Sequence, residues 1–272
     1  MKKALLLKAS PRAGWSDGAA ETVAEILAEK GVQVKTAAVR EEEIGYCRGC
    51  GACMGRGEES CPMSDDGAQR LLSEMLWADG VVILTPNYAL QVPALLKNLL
   101  DRLSFVFHRP RFFGRVFMPI IAQGIYGGRG VHKYLNDTME FWGFSPVKGA
   151  VLQGALYPNE KLSAEAAGKN REKLGAAAGR FVDALNSGKP RKPSFFRLMI
   201  FRTTRSSMKH FEDALEPDRA YFKERGWFDS PYYYPVALGP HKRLFGALAD
   251  ACVRRAAKKN AHRILEQTNN LR

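Results

Sequence analysis

In the front part of this chain a short apolar run is followed, five times over, by a segment whose hydrophobic residues recur at helical spacing. The runs are residues 4–7, 81–84, 116–121 and about 147–152, and the second in order, 32–39, is partly alternating, with Gln33, Lys35 and Thr36 among its apolar residues. Between them Ala19, Val23, Ala24, Ile26 and Leu27 share one helical face, as do Leu71, Leu72, Met75 and Leu76. Leu95, Leu96, Leu99, Leu100 and Leu103 do the same, and two further helices are expected near 131–142 and 163–185. Runs that are apolar throughout suit strands covered on both faces. The alternation therefore predicts an α/β fold over residues 1–187, a doubly wound five-stranded parallel sheet with helices on both sides.

In such sheets ligands bind beyond the carboxyl ends of the strands, where strand order reverses. Three loops fall there, residues 10–17, 86–90 and 123–130, each rich in Gly, Pro or small polar residues. The first, Ser10-Pro11-Arg12-Ala13-Gly14-Trp15-Ser16-Asp17, leads into a helix. N–H groups at a helix start, the helix dipole, Ser hydroxyls and an Arg fork together make an anion site. The same residues also suit a ligand-free turn with an ordinary Ser or Asp cap. The loop lacks both the G-x-G-x-x-G of dinucleotide folds and the G-x-x-x-x-G-K-[ST] of NTPases. The third strand ends in Thr85, where a receiver domain would need an Asp. What remains is a mononucleotide site of the flavodoxin type.

Ala9-Ser10-Pro11-Arg12 with Ser16, Thr85-Pro86-Asn87-Tyr88 with Pro93, Leu96-Lys97-Asn98 with Asp101-Arg102, and the Gly-rich third loop follow one another in order. As a set they resemble the NADPH-dependent FMN reductase and iron–sulfur flavoprotein families over roughly residues 1–187. The resemblance implies a flavodoxin-like domain holding FMN, with NAD(P)H as a co-substrate. It implies that Ser10, Arg12 and Ser16 hold the phosphate, with Asp17 beside them. Pro86, Asn87, Tyr88, Ala89 and Leu90 would border the isoalloxazine, and Gln123, Gly124, Tyr126 and Gly127 would supply the third loop. Trp15 and Asp17 depart from the usual pattern of small neutral residues. Asp17 would repel a dianionic phosphate unless it turned away to cap the helix.

Residues 40–66 show no sustained periodicity and read as one long loop carrying Cys47-x2-Cys50-x2-Cys53-x7-Cys61-Pro62. Two-residue gaps aim three thiolates at one centre, and a fourth Cys can reach back, the pattern of a cubane cluster. Structural zinc, which favours Cys pairs with a longer insert, and empty thiols are the alternatives. The spacing resembles the compact motif of iron–sulfur flavoproteins, which implies a 4Fe–4S cluster on Cys47, Cys50, Cys53 and Cys61. Cys252 stands apart and is expected to be a buried, inert thiol. The five His residues show no metal-like spacing.

The formal charge of +13 is uneven. Residues 189–272 hold 18 Lys and Arg against 8 Asp and Glu, while the front of the chain is close to neutral. Lys189-Pro190-Arg191-Lys192-Pro193 reads as a linker, since its prolines break a helix. It sets off a basic, aromatic-rich, mostly helical C-terminal extension, residues 188–272, ending in a helix near 241–265. Interleaved Phe, Tyr, Trp and Arg suit packing in a homo-oligomer or as a lid over the flavin. Contact with an anionic membrane surface is the second use, and no motif supports nucleic acid. There is no apolar run of membrane-spanning length and no signal-peptide pattern, so a cytoplasmic protein is expected. These readings predict an FMN-dependent oxidoreductase that passes electrons to a small acceptor or redox carrier. No side chain is required as catalytic acid or base, and Tyr88 and Tyr126 would shape the acceptor pocket. A flavodoxin-type electron carrier and a flavin-free scaffold are the rival classes.

Overall fold

The structure, a computed structural model, describes residues 1–154, 161–188, 191–210 and 216–269. In chain order the elements are β1 (Lys3–Lys8), α1 (Trp15–Glu29), β2 (Gln33–Ala38), the short α2 (Ala52–Gly55), α3 (Gly67–Trp77) and β3 (Gly80–Pro86). Then come α4 (Ala94–Arg102), β4 (Val116–Gln123), α5 (Gly128–Trp142), β5 (Ser145–Pro146), β6 (Ala150–Gln153) and α6 (Ala164–Ser187). Last are α7 (Phe195–His210), α8 (Glu216–Glu224) and α9 (Pro240–Asn269). They form two compact units, Met1–Cys50 with Met63–Lys189, and Gly51–Pro62 with Pro190–Arg272. No helix among the described residues is long and apolar enough to cross a membrane.

The first unit is a parallel sheet in the order β2-β1-β3-β4, with β5 and β6 both beside β4. The chain moves one way from β1 to β2 and the opposite way from β2 through β6. With right-handed crossovers that reversal puts α1 on one face and α3, α4 and α5 on the other. α6 returns to the face of α1, where Leu27, Leu174, Ala178 and Phe181 pack on Leu6, Val82, Leu84, Met118 and Ile120. Leu5, Leu7, Val81, Ile83, Phe117 and Ile121 are also buried and, by the pleat, point to the opposite face. The sheet is thus the flavodoxin-like doubly wound fold.

The expected fifth strand is broken in two, and the cause is Pro119 in β4. Proline has no N–H for the neighbouring strand. Phe117 and Gln123 on the same side of β4 accept N–H bonds from Val147 and Gly154, at 2.9 and 2.7 Å. Between them residues 147–149 bulge, and Gly149 passes so close to Pro119 that a Cβ would lie 1.7 Å from its carbonyl oxygen. α5 begins at Gly128, earlier than its apolar spacing indicates, because Gln123 Oε1 accepts the Gly128 N–H at 2.8 Å and caps the first turn.

In the second unit α7 packs on α9 and on α8. Leu198, Phe201, Phe222, Trp227, Tyr232 and Leu238 are buried. Tyr233 lies edge-on to Phe201 and Trp227, with centroids 4.5 and 4.8 Å away. Phe201, Phe222, Trp227 and Tyr232 thus belong to the core of this unit, while Phe195 and Phe196 are exposed. Asp250, 5 % exposed, accepts hydrogen bonds from Ser206, Arg202 and Arg205. Burial alone would raise its pKa, but the Ser206 bond and the two Arg charges hold it below the usual carboxylate value. Cys252, expected to be buried, is exposed on α9. Lys189 and Pro190 of the expected linker, and the last three residues of the extension, lie outside the described residues.

The sequence placed residues 51–62 in the front domain, inside a featureless loop. They fold instead with the C-terminal segment, where α2 packs on α8. A four-residue helix is too short to leave a period in the sequence.

Candidate functional site

The three loops leave adjacent strands at one end of the sheet. Lys8 pairs with Leu84 and Pro86 with Ala122, so the carboxyl ends of β1, β3 and β4 lie side by side. The ladder runs on into the loops, with Ala9 N–H bonded to Leu84 O and Asn87 N–H to Ala122 O, both at 2.8 Å. The second and third loops touch: Asn87 Nδ2 donates to Tyr126 O at 2.7 Å. Gly127 has φ 96°, and a Cβ there would lie 2.5 Å from Leu90 and 2.8 Å from Asn87. Only glycine suits both the dihedral and the space.

Tyr88 and Gln91 exchange two backbone hydrogen bonds of 2.9 Å around Ala89 and Leu90. Those two residues have φ 49° and 65°, a pair of left-handed positions characteristic of a type I′ turn and normally held by Asn or Gly. Non-glycine residues there cost on the order of 1 kcal/mol each and mark turns held for a purpose. Tyr88, Leu90, Ile125 and Tyr126 are exposed around this turn, 43–76 %. Gly124 is exposed as well, while Pro86 and Asn87 are half-buried. Asn87 Oδ1 is buried without a hydrogen-bond partner.

In the first loop Ser10 and Ser16 are buried and Arg12 is exposed. Ser16 is 1 % exposed, yet its Oγ has no partner, in the first turn of α1. Buried hydroxyls are nearly always bonded, so an orphan at a helix N-terminus is an acceptor-seeking donor at an anion position. Asp17 turns away, as the capping alternative required. Its Oδ2 accepts the Gly14 N–H at 2.8 Å, and its Oδ1 accepts Lys8 Nζ at 2.7 Å and Arg40 Nη2 at 2.9 Å. Burial opposes ionisation, but the bonds from Lys8, Arg40 and Gly14 win and pull its pKa down to about 2. Lys8 and Arg40 were missed in the sequence. The one available signal was a lysine closing an otherwise apolar strand.

Cys47 and Cys50 are exposed, and Cys53 and Cys61 are half-buried. Cys47 and Cys50 belong to the first unit, and Cys53 and Cys61 to the second. Among the described residues no three His, Cys, Asp or Glu side chains are gathered to hold a metal. The donor set itself suits a thiolate-bound centre, and Gly49, Gly51 and Gly57, at φ 62°, 70° and 106°, allow tight turns around it.

The stem of this excursion is clamped from α4. Asn98 Nδ2 donates to Ile44 O, and its Oδ1 accepts the Cys47 N–H at 3.3 Å. Arg102, whose side chain is 2 % exposed, donates to Gly45 O, Met63 O and Asp66. Asp66 also caps α3 through Ala68 N–H. Burial works against its charge, but the Arg102 bond and the backbone donors keep its pKa low. The motif Leu96-Lys97-Asn98 with Asp101-Arg102 thus ties the two ends of the Cys segment together.

A family model described as NADPH-dependent FMN reductase matches residues 2–155. An iron–sulfur flavoprotein of Archaeoglobus fulgidus is 28 % identical over 83 % of this chain and 99 % of its own length. One from Methanocaldococcus jannaschii is 33 % identical over 51 % of this chain and 74 % of its own. A quinone reductase of Escherichia coli is 33 % identical over 38 % of this chain and 53 % of its own. Among solved structures, RosB with the bound intermediate 8-demethyl-8-formylriboflavin-5'-phosphate has TM-score 0.54 at 16 % identity, over 69 % of this chain and 80 % of that one. An apo NADH:FMN oxidoreductase has TM-score 0.50 at 20 % identity, over 70 % and 97 %. Both share the fold. By the family match and the extent of the sequence likeness, the chain belongs to the NADPH-dependent FMN reductase and iron–sulfur flavoprotein family.

Proposed function

We propose that this chain is an FMN-dependent oxidoreductase that passes electrons from NAD(P)H or a reduced carrier to a small acceptor. The observation that carries the proposal is the pair of orphaned polar atoms, Ser16 Oγ in the first loop and Asn87 Oδ1 in the second. They lie in two loops that leave neighbouring strands at the switch point of the sheet. When bound, FMN supplies the redox chemistry, by electron pairs or single electrons. Ser10, Arg12, Ser16 and the N-terminus of α1 would bind its phosphate. The paired Lys8, Asp17 and Arg40 leave that position with no uncompensated negative charge. The strained Tyr88–Gln91 turn would orient the ring, with Pro86 and Asn87 below it. Gln123, Gly124 and Gly127 would close the third side. Tyr88 and Tyr126 would shape the acceptor pocket and keep water from it.

Cys47, Cys50, Cys53 and Cys61 would hold a 4Fe–4S cluster. The support is the Cys spacing and the likeness to proteins named iron–sulfur flavoproteins.

The test is the visible spectrum of protein purified without oxygen, with iron and sulfide counts and steady-state NAD(P)H oxidation. Flavin bands with turnover support the oxidoreductase, while flavin bands without turnover favour a carrier. A colourless protein that rejects added FMN overturns the reading. Cys50→Ser should abolish the iron count and leave the flavin bands unchanged.

A further inference from the structure

Beside the edge of the sheet in the first unit lies a cavity of about 480 Å³ that none of the residues proposed for the flavin lines. Its origin is the missing N–H of Pro119, which breaks the edge strand and makes residues 147–149 bulge. The freed carbonyls are taken by cations from α6: Arg180 Nε donates to Lys148 O at 2.9 Å and Arg180 Nη2 to Gly149 O at 3.3 Å. Lys173 Nζ donates to Val151 O at 3.3 Å. The backbone thereby fixes two cationic side chains at the cavity wall. Arg129 and His132, from the first turns of α5, and Lys148 itself complete the polar lining. The floor is apolar, built from Ala150, Val151 and Ala176.

Among the described residues, four cationic side chains therefore line one cavity and no carboxylate does. Among the acids of α5 and α6, Asp137 is paired with Lys133 and Glu165 with Lys169. Burial and then the Lys148 charge push the His132 pKa down, so the ring stays neutral and adds a hydrogen-bonding group. Like charges held together repel, and a bound polyanion removes that repulsion while accepting several charge-assisted hydrogen bonds. The volume is that of a small-molecule site.

We propose that this cavity binds a diphosphate-class anion, free or carried on a nucleotide, at a site separate from the flavin loops. Three or four negative charges match the four cations, and the apolar floor suits a base or sugar attached to the diphosphate.

Calorimetric titration of the full chain with inorganic pyrophosphate at low salt tests this. The expected result is one saturable site that weakens as ionic strength rises. Lys148→Ala and Arg129→Ala, both at exposed positions where folding is not at risk, should each weaken binding about ten-fold. Arg12→Ala should leave it unchanged, which separates this cavity from the first loop whether or not the flavin reading holds. A second arm uses ADP: binding tighter than pyrophosphate identifies a nucleotide as the source, and equal or weaker binding identifies free diphosphate. The proposal is overturned if pyrophosphate shows no saturable binding. It is equally overturned if binding survives both cavity substitutions, or is lost in Arg12→Ala.

Discussion

At the scale of single residues, Ser16 and Asp17 sit side by side and do opposite work. Ser16 carries a buried hydroxyl with no partner, so its removal should not harm the fold. Replacing an unsatisfied polar group by a methyl is close to neutral for stability. Ser16→Ala is expected to leave the urea midpoint unchanged while FMN binds about ten-fold more weakly in a fluorescence titration, about 1.4 kcal/mol. An unchanged FMN affinity would remove Ser16 from the phosphate site. Asp17 is structural, and its pKa is lowered from 3.8 to about 2 in the fold. A carboxylate with a lowered native pKa stabilises the fold fully above its unfolded pKa. That stabilisation is lost as pH falls through the native value. About 1–2 kcal/mol, after allowance for solvent screening, should therefore disappear between about pH 4 and pH 2. Asp17→Asn should remove the same amount at pH 7 and flatten stability across that acid window, read by denaturant titration at each pH.

At the scale of elements, α4 shows how a helix built by Leu periodicity also carries a clamp. Its apolar face, Leu96, Leu99 and Leu100, packs inward, and the intervening Asn98 and Arg102 reach the stem of the Cys segment. Breaking a buried ion pair by removing one partner leaves the other charge stranded, at about 3–5 kcal/mol. Arg102→Ala should destabilise the first unit by that order and speed amide exchange of residues 44–47 and 63–68. Arg102→Lys should restore little, because a single ammonium cannot serve two carbonyls and a carboxylate in one plane. If amide exchange at the stem is unaltered in Arg102→Ala, the clamp has no role in holding the segment. Pro119 works at the same scale, since one missing N–H splits an edge strand and opens the basic cavity beside it.

At the scale of the whole molecule, the chain makes two compact units with separate cores. One is a wound sheet, the other helices around an aromatic cluster. Separate cores predict two calorimetric transitions. FMN at about a hundred times its dissociation constant adds about 2.7 kcal/mol to whatever binds it. Saturating FMN should therefore raise one transition by about 5–10 °C and leave the other in place. Equal movement of both, or a single transition, would show that the units unfold together.

The wound sheet, its three rim loops and the family were legible in the order of residues, because apolar periodicity and glycine-bearing turns are local signals. Strands 4–7, 81–84 and 116–121 needed nothing more than their own burial pattern. Other features depended on contacts distant in sequence. Asp17 is neutralised by Arg40, 23 residues away, and the Cys stem by Arg102, 57 residues from Gly45. The break in the last strand follows from a proline in its neighbour, and residues 51–62 joined the C-terminal unit through a helix too short to have a period. Propensity and pattern act along the chain and so determined the elements. Which charge meets which, and which core a short segment joins, was decided by the tertiary structure, because only folding brings those groups within bonding range.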